Sequence, residues 1–189
     1  MNRLIQLRSH RRTKIAAIGA ALLITTGAAG SAVASGDSTS GERQREAAAL
    51  TGTAKLYRSL GDDITFSFDA HLAAKDNDDP TKATGTFRYS HYLNGEGGWA
   101  KAKVDCLVTG GKVAVVSGVI TATDIEGAKG NRVGITVHDV GGKDRLGYSW
   151  AATEGPATKD LPKCVGSAPF EKVKAGTGDY RVLPWHPKF

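Results

Sequence analysis

An all-β domain is the fold class that this sequence predicts, and three observations carry the expectation. Past residue 50, apolar and polar residues alternate with a period of two; glycine-rich turns punctuate the runs; and no segment shows a capped helical period. Short connections favour antiparallel neighbours, and closure removes exposed edges. The expected architecture is therefore an antiparallel up-and-down barrel of about eight strands, with a two-sheet β-sandwich as the alternative.

Each element follows from its residues. A first strand is expected near residues 51–59. Ile64, Phe66, Phe68, Ala70 and Leu72 then alternate with Thr65, Ser67, Asp69 and His71, which puts the apolar side chains on one face of a long strand. Asp76, Asn77, Asp78, Asp79 and Pro80 have the composition of a turn. The next run sets Phe87, Tyr89, His91 and Leu93 against Thr86, Arg88, Ser90 and Tyr92, so a hairpin follows. Residues 94–98 turn the chain into a strand in which Ala100, Ala102, Val104, Cys106 and Val108 face away from Lys101, Lys103 and Asp105. Gly110 and Gly111 connect it to residues 112–123, a two-residue link of the kind tight hairpins use. Val133, Ile135 and Val137 mark a further strand. Gly141, Gly142 and Asp144 precede Leu146, Tyr148 and Trp150, where Gly147 blurs the alternation. A proline-containing connection, residues 154–162, leads to Cys164, and the last strand is expected at 179–183.

The first 34 residues are of a different kind. A cationic stretch, a short apolar run over residues 15–29 and the small-residue triplet Ala32, Val33, Ala34 have the order a signal peptidase reads. Gly19, Thr25, Thr26, Gly27 and Gly30 dilute the run below what a membrane-spanning helix of about 20 apolar residues requires. Ser9, His10, Arg11 and Arg12 partly match a twin-arginine signal, but Thr13 and Lys14 replace the usual hydrophobic pair, so both export routes stay open. The expected organisation is a cleaved signal peptide (1–34), a flexible leader (35–49), a single β-domain (50–183) and a C-terminal tail (184–189). A secreted protein, extracellular or associated with the cell surface, follows.

Of the 25 basic residues, five fall in residues 1–34 together with none of the 19 acids, so the formal charge of +6 falls to about +1 once that segment is removed. With mixed-sign clusters besides, the phosphate-driven attraction that nucleic-acid binding needs has no strong source. Two cysteines, Cys106 and Cys164, follow the signal; in an oxidising compartment an even count reads first as one disulfide.

No residue set reads as catalytic. Gly36, Asp37 and Ser38 look like the start of a serine-hydrolase motif but lie in the leader, without the constrained turn a nucleophile needs. Ser67, Asp69 and His71 share a strand face, yet successive positions on one face stand about 7 Å apart, too far for a triad without help from other strands. His71, His91 and His138, with Asp69 and Asp139 nearby in sequence, lack tight ligand spacing, so no metal is expected. The acidic turn at residues 76–79 lacks the EF-hand register for calcium. No cofactor is expected either. If the barrel is partly hollow, His71, His91, Trp99, Tyr148 and Trp150 are the residues to line a ligand pocket.

Several stretches resemble small secreted β-proteins of actinomycete type, some labelled repetin-like. They are residues 66–71 (FSFDAH), 83–87 (ATGTF), 104–110 (VDCLVTG), 118–120 (GVI) and 137–141 (VHDVG). The resemblance spans roughly residues 50–183. It implies an exported β-domain with Cys106 joined to a late cysteine, and no known activity. The tail, Leu183 to Phe189, departs from that pattern. The expected function is thus a secreted, non-enzymatic binding or structural module for an unknown extracellular ligand or protein. A small-ligand carrier or small barrel enzyme with an apolar lumen is the alternative.

Overall fold

The computed structural model describes residues 45–151 and 161–187. The signal segment, the Gly36, Asp37, Ser38 motif, most of the 154–162 connection and Lys188 and Phe189 lie outside the described residues.

Among the described residues there are nine antiparallel strands: β1 (Glu46–Lys55), β2 (Asp63–Ala73), β3 (Thr84–Leu93), β4 (Glu96–Gly110), β5 (Val113–Thr123), β6 (Arg132–His138), β7 (Arg145–Tyr148), β8 (Glu171–Lys172) and β9 (Asp179–Leu183). They form one sheet in the order β8-β7-β6-β5-β4-β3-β2-β1-β9, so chain neighbours are sheet neighbours from β1 to β8 and β9 returns beside β1. The sheet is strongly curled. Leu56, just past β1, forms a β-bridge with Val173, just past β8, and the Tyr57 and Lys174 amides donate to the Lys172 and Lys55 carbonyls at 2.8 Å. A single continuous sheet whose order meets itself is barrel-like, and two stacked sheets are not what forms. Among the described residues no helix is long and apolar enough to cross a membrane.

Interior packing follows the period-two pattern. On β2, Ile64, Phe66, Phe68, Ala70 and Leu72 are all buried, and Phe66 and Phe68 pair directly with Tyr89 and Phe87 of β3. The next strands answer these rings with small residues: Ala102 and Ala100 of β4 lie opposite Phe87 and Tyr89. At Gly118 a methyl group would stand 2.8 Å from the Phe87 ring, so glycine there leaves that ring its space.

Two expectations about the strands change. β1 begins at Glu46, so the end of the supposed leader is strand, with Ala48, Ala49 and Leu50 buried. β4 keeps its expected phase only as far as Val104. A bulge between Val104 and Cys106 inverts the alternation, turning Leu107 inward opposite Val116 and pairing Cys106 with Ser117 on the outer face.

Cys106 is nevertheless fully buried, because the segment after residue 160 crosses that outer face. Cys164 bonds to Cys106 as expected, and its amide donates to Ser117 Oγ at 3.0 Å. Ser117 Oγ donates to Asp105 at 2.6 Å; Arg132 binds Asp105 at 2.8 Å and the Leu161 carbonyl at 2.8 Å. The strap then runs over two glycines: a methyl group on Gly134 or Gly147 would lie 1.7 Å from the Val165 carbonyl oxygen or 2.1 Å from that of Ala168. Beyond it, β9 is held on its second edge by carboxylates, with the Tyr180 amide donating to Asp144 and the Val182 amide to Asp139. Burial, followed by the nearby Asp179, pushes the Asp144 carboxyl upward. The tail is a second strap. Trp185 Nε1 donates to the Asn77 carbonyl at 3.0 Å and to its side-chain oxygen at 2.8 Å, while Asn77 donates back to the His186 carbonyl.

Candidate functional site

At one end of the barrel the described residues leave the interior unfilled. A pocket of about 940 Å³ opens where the start of β2, the end of β3 and the start of β4 meet the β7 end, within the size range of small-molecule sites. Its walls are Ile64 and Phe66 of β2, Tyr89 of β3, Ile125 of the β5–β6 connection, and Tyr148, Trp150 and Phe170. Arg58, His91 and Glu96 stand among the lining residues as its basic and acidic side chains, beside the phenols of Tyr89 and Tyr148.

The backbone explains who lines it. His91 keeps the phase of Phe87 and Tyr89 and pairs with Ile64, so its side chain continues the inner row to the rim. β4 lies opposite with Gly98 facing His91 and Gly97 facing Tyr92, so no side chain of β4 occupies the space between. Trp150 follows β7 in a one-turn 3-10 helix, Ser149–Ala151, which swings its ring onto Tyr148. The ring centroids are 4.3 Å apart and 20° from parallel; Tyr89 approaches Trp150 at 5.1 Å, and Phe66 stands 6.3 Å from both Tyr148 and Trp150.

The polar groups are mostly spoken for. Arg58 pairs with Glu171, and Tyr148 Oη donates to Glu171 at 3.0 Å while receiving from Arg58 at 3.3 Å. The hydrogen bond and charge of Glu171 hold the guanidinium's affinity for its proton up; burial, then Glu171, does the same for the Tyr148 phenol. His91 Nε2 lies 3.0 Å from Asp62. The Tyr89 hydroxyl, by contrast, is buried with no hydrogen-bond partner among the described residues, and burial pushes its pKa up to about 12.

Of the five residues expected at a pocket, His91, Tyr148 and Trp150 are brought together and His71 and Trp99 are not. Both sit on odd positions of strands whose even positions face inward. His71 points outward at the far end of β2, its Nε2 2.8 Å from Asp69 and its Nδ1 in ion-pair contact with Glu46 at 2.7 Å, without the alignment of a hydrogen bond. Trp99 lies on the outer face beneath the Arg88 guanidinium, 4.4 Å from the ring centre. Sequence reasoning missed Arg58, Phe170 and Ile125, which come from connections that alternation does not reach.

The remaining candidates are placed elsewhere. Ser67 Oγ receives a bond from Thr53 and stands apart from the Asp69–His71 pair, so the three form no triad. Among the described residues no three His, Cys, Asp or Glu side chains gather as a metal site. In the acidic turn, Asp79 is spent on capping the one-turn helix Pro80–Lys82 through the Thr81 amide and hydroxyl. Comparison with known protein families, with curated proteins and with solved structures finds no match, so the site is read from its own geometry.

Proposed function

We propose that this protein is a secreted β-domain that binds a small, largely apolar ligand in the open end of its barrel and works as a carrier or binding module rather than as an enzyme. The observation that carries the reading is the 940 Å³ pocket, walled by aromatic and aliphatic side chains with few polar groups at its rim. Such walls reward apolar guests by about 25 cal/mol for each Å² removed from water. Phe170 and Leu93 remain 47% and 42% exposed at the lining, an exposure that a bound guest would reduce. Export is supported by the signal-like first 34 residues and by a disulfide, which oxidising compartments sustain.

Native mass spectrometry of the protein recovered from culture medium tests both parts. The expected result is a chain starting near residue 35 that carries a stoichiometric small-molecule adduct, lost when His91→Trp, on the inward-facing row of β3 at the rim, fills the pocket. An adduct unchanged in His91→Trp would place binding elsewhere and refute the assignment.

A further inference from the structure

Resting on the reading of the pocket as a ligand site, we propose that its ligand is a planar aromatic compound, neutral or cationic, that carries a hydrogen-bond-accepting group. Three features of the walls converge on that class.

The first is ring alignment. Tyr148 and Trp150 stack 4.3 Å apart, and the Phe66 plane lies within 6° of Tyr148 and 16° of Trp150. Three nearly parallel faces are a stack that a flat guest extends, gaining offset-stacking contacts that an aliphatic chain of equal area forgoes.

The second is charge. Arg58 is the one cationic Lys or Arg side chain lining the pocket among the described residues, and Glu171 with Tyr148 already occupies it. Glu96 lines the rim, and Asp62 stands behind His91. An anionic guest would therefore meet carboxylates without a free partner, whereas a cation would meet carboxylates and aromatic faces, both of which attract it.

The third is Tyr89. Its ring is part of the wall, and its hydroxyl lacks a partner among the described residues. A buried donor left unpaired is costly, so a guest that brings an acceptor to it gains more than its apolar area alone supplies.

Isothermal titration of the disulfide-bonded protein with four probes of known structure separates the possibilities. They are 9-anthracenemethanol (neutral, planar, with an acceptor), 9-aminoacridine (cationic, planar), 9-anthracenecarboxylate (anionic, planar) and 1-dodecanol (neutral, aliphatic). The first two are expected to bind at least tenfold more tightly than the last two. Tyr89→Phe is expected to weaken 9-anthracenemethanol about three- to tenfold, while its melting temperature stays level or rises because an unpaired buried hydroxyl has gone. Trp150→Ala is expected to weaken both 9-anthracenemethanol and 9-aminoacridine. Dodecanol binding as tightly as the planar probes would overturn the aromatic class while leaving the pocket reading intact. Equal binding of the carboxylate would overturn the charge argument, and Tyr89→Phe without effect on 9-anthracenemethanol would overturn the acceptor. If none of the four binds, the pocket reading itself falls.

Discussion

Gly134 offers the sharpest test of how the outer strap is held. A methyl group there would sit 1.7 Å from the Val165 carbonyl oxygen and 2.9 Å from its carbon, where ordinary contact begins near 3.4 Å. In Gly134→Ala the strap must withdraw by roughly 1.5 Å, since close-packed backbone on both sides leaves nothing flexible to yield. Withdrawal on that scale stretches the Cys164 amide to Ser117 Oγ bond, now 3.0 Å, past its useful range. Overpacking costs about 1–3 kcal/mol and the lost hydrogen bond about 1 kcal/mol more. For a domain of this size, at roughly 3 °C per kcal/mol, the melting temperature should fall by about 6–12 °C.

The same substitution at Gly110 is the control. No atom lies within 4 Å of a methyl group there and the backbone is not left-handed, so Gly110→Ala should be neutral or more stable by about 0.4–1 kcal/mol through the unfolded chain. Differential scanning calorimetry of the two variants at one pH reads the contrast. A further arm removes the disulfide. In the Cys106→Ser, Cys164→Ser background the strap is free to move away, so the Gly134→Ala penalty should shrink. If Gly134→Ala and Gly110→Ala melt within about 1.5 °C of each other, the strap does not press on that glycine and the reasoning fails.

Three other outcomes are expected. Cys106→Ser with Cys164→Ser opens a loop set by a sequence separation of 58 and should cost about 4 kcal/mol in the chain-entropy model, read as a lower denaturant midpoint; an unchanged midpoint would remove the bridge as a stabiliser. Trp185→Ala should cost about 2 kcal/mol, because its indole both packs on the core and bonds Asn77, whereas a tail reserved for a partner would leave the melt unchanged. For His71, burial lowers the pKa but Asp69 and Glu46 outweigh it, so the folded value is raised. Its contribution is then fully present below about pH 6.5 and lost as pH rises through the folded value, less than about 1 kcal/mol because the pair is solvent-screened. His71→Gln should flatten that part of the stability profile, and a wild-type profile that rises there would contradict the sign.

The sequence was informative wherever one face of a strand was buried, and silent where burial came from elsewhere. β2 and β3 were legible because Ile64, Phe66, Phe68, Phe87 and Tyr89 recur at every second residue. The phase break in β4 was not, since Asp105, Cys106 and Leu107 leave no local mark of a bulge and Cys106 on the outer face is covered by a strap whose Cys164 is 58 residues away in sequence. β8 escaped notice because two residues show no periodicity, and its place depends on backbone bonds to Lys55 and Tyr57. The pocket was legible in the same measure. His91, Tyr148 and Trp150 lie in or next to regular strands, while Arg58, Ile125 and Phe170 arrive on connections whose course depends on the closed sheet. Among the residues that did not meet, His71 and Trp99 were misplaced by parity alone: aromatic or imidazole character suggested a lumen, and the odd position on the strand put each outside.

The two ends of the same barrel differ for a reason that the strand pairings supply. Away from the pocket, Phe68 packs on Phe87 at 6.1 Å and meets the Tyr180 ring edge-on at 5.3 Å, and Leu72 and Leu50 are buried in the same core. The large residues on β2 and β3 there are balanced by a large one from β9. Toward the pocket β9 has ended, and the barrel wall is completed instead by the bridge at Leu56 and Val173, while β4 presents Gly97 and Gly98 opposite β3. Among the described residues nothing does for Phe66 and Tyr89 what Tyr180 does for Phe68, so, with Trp150 leaning on them, they bound the open space of the pocket. Substituting Gly98 cannot close that space cheaply, because a methyl group there would meet Ile125 at 2.8 Å and Asp124 at 2.9 Å. Asp124 in turn accepts from the Trp99 amide at 2.6 Å and fixes the β5–β6 connection that carries Ile125 to the rim. The opening is thus built into the pairing of β3 with β4, and enlarging Gly98 should weaken both the fold and the binding of an aromatic guest, whereas filling from His91 at the rim should abolish binding with the fold retained.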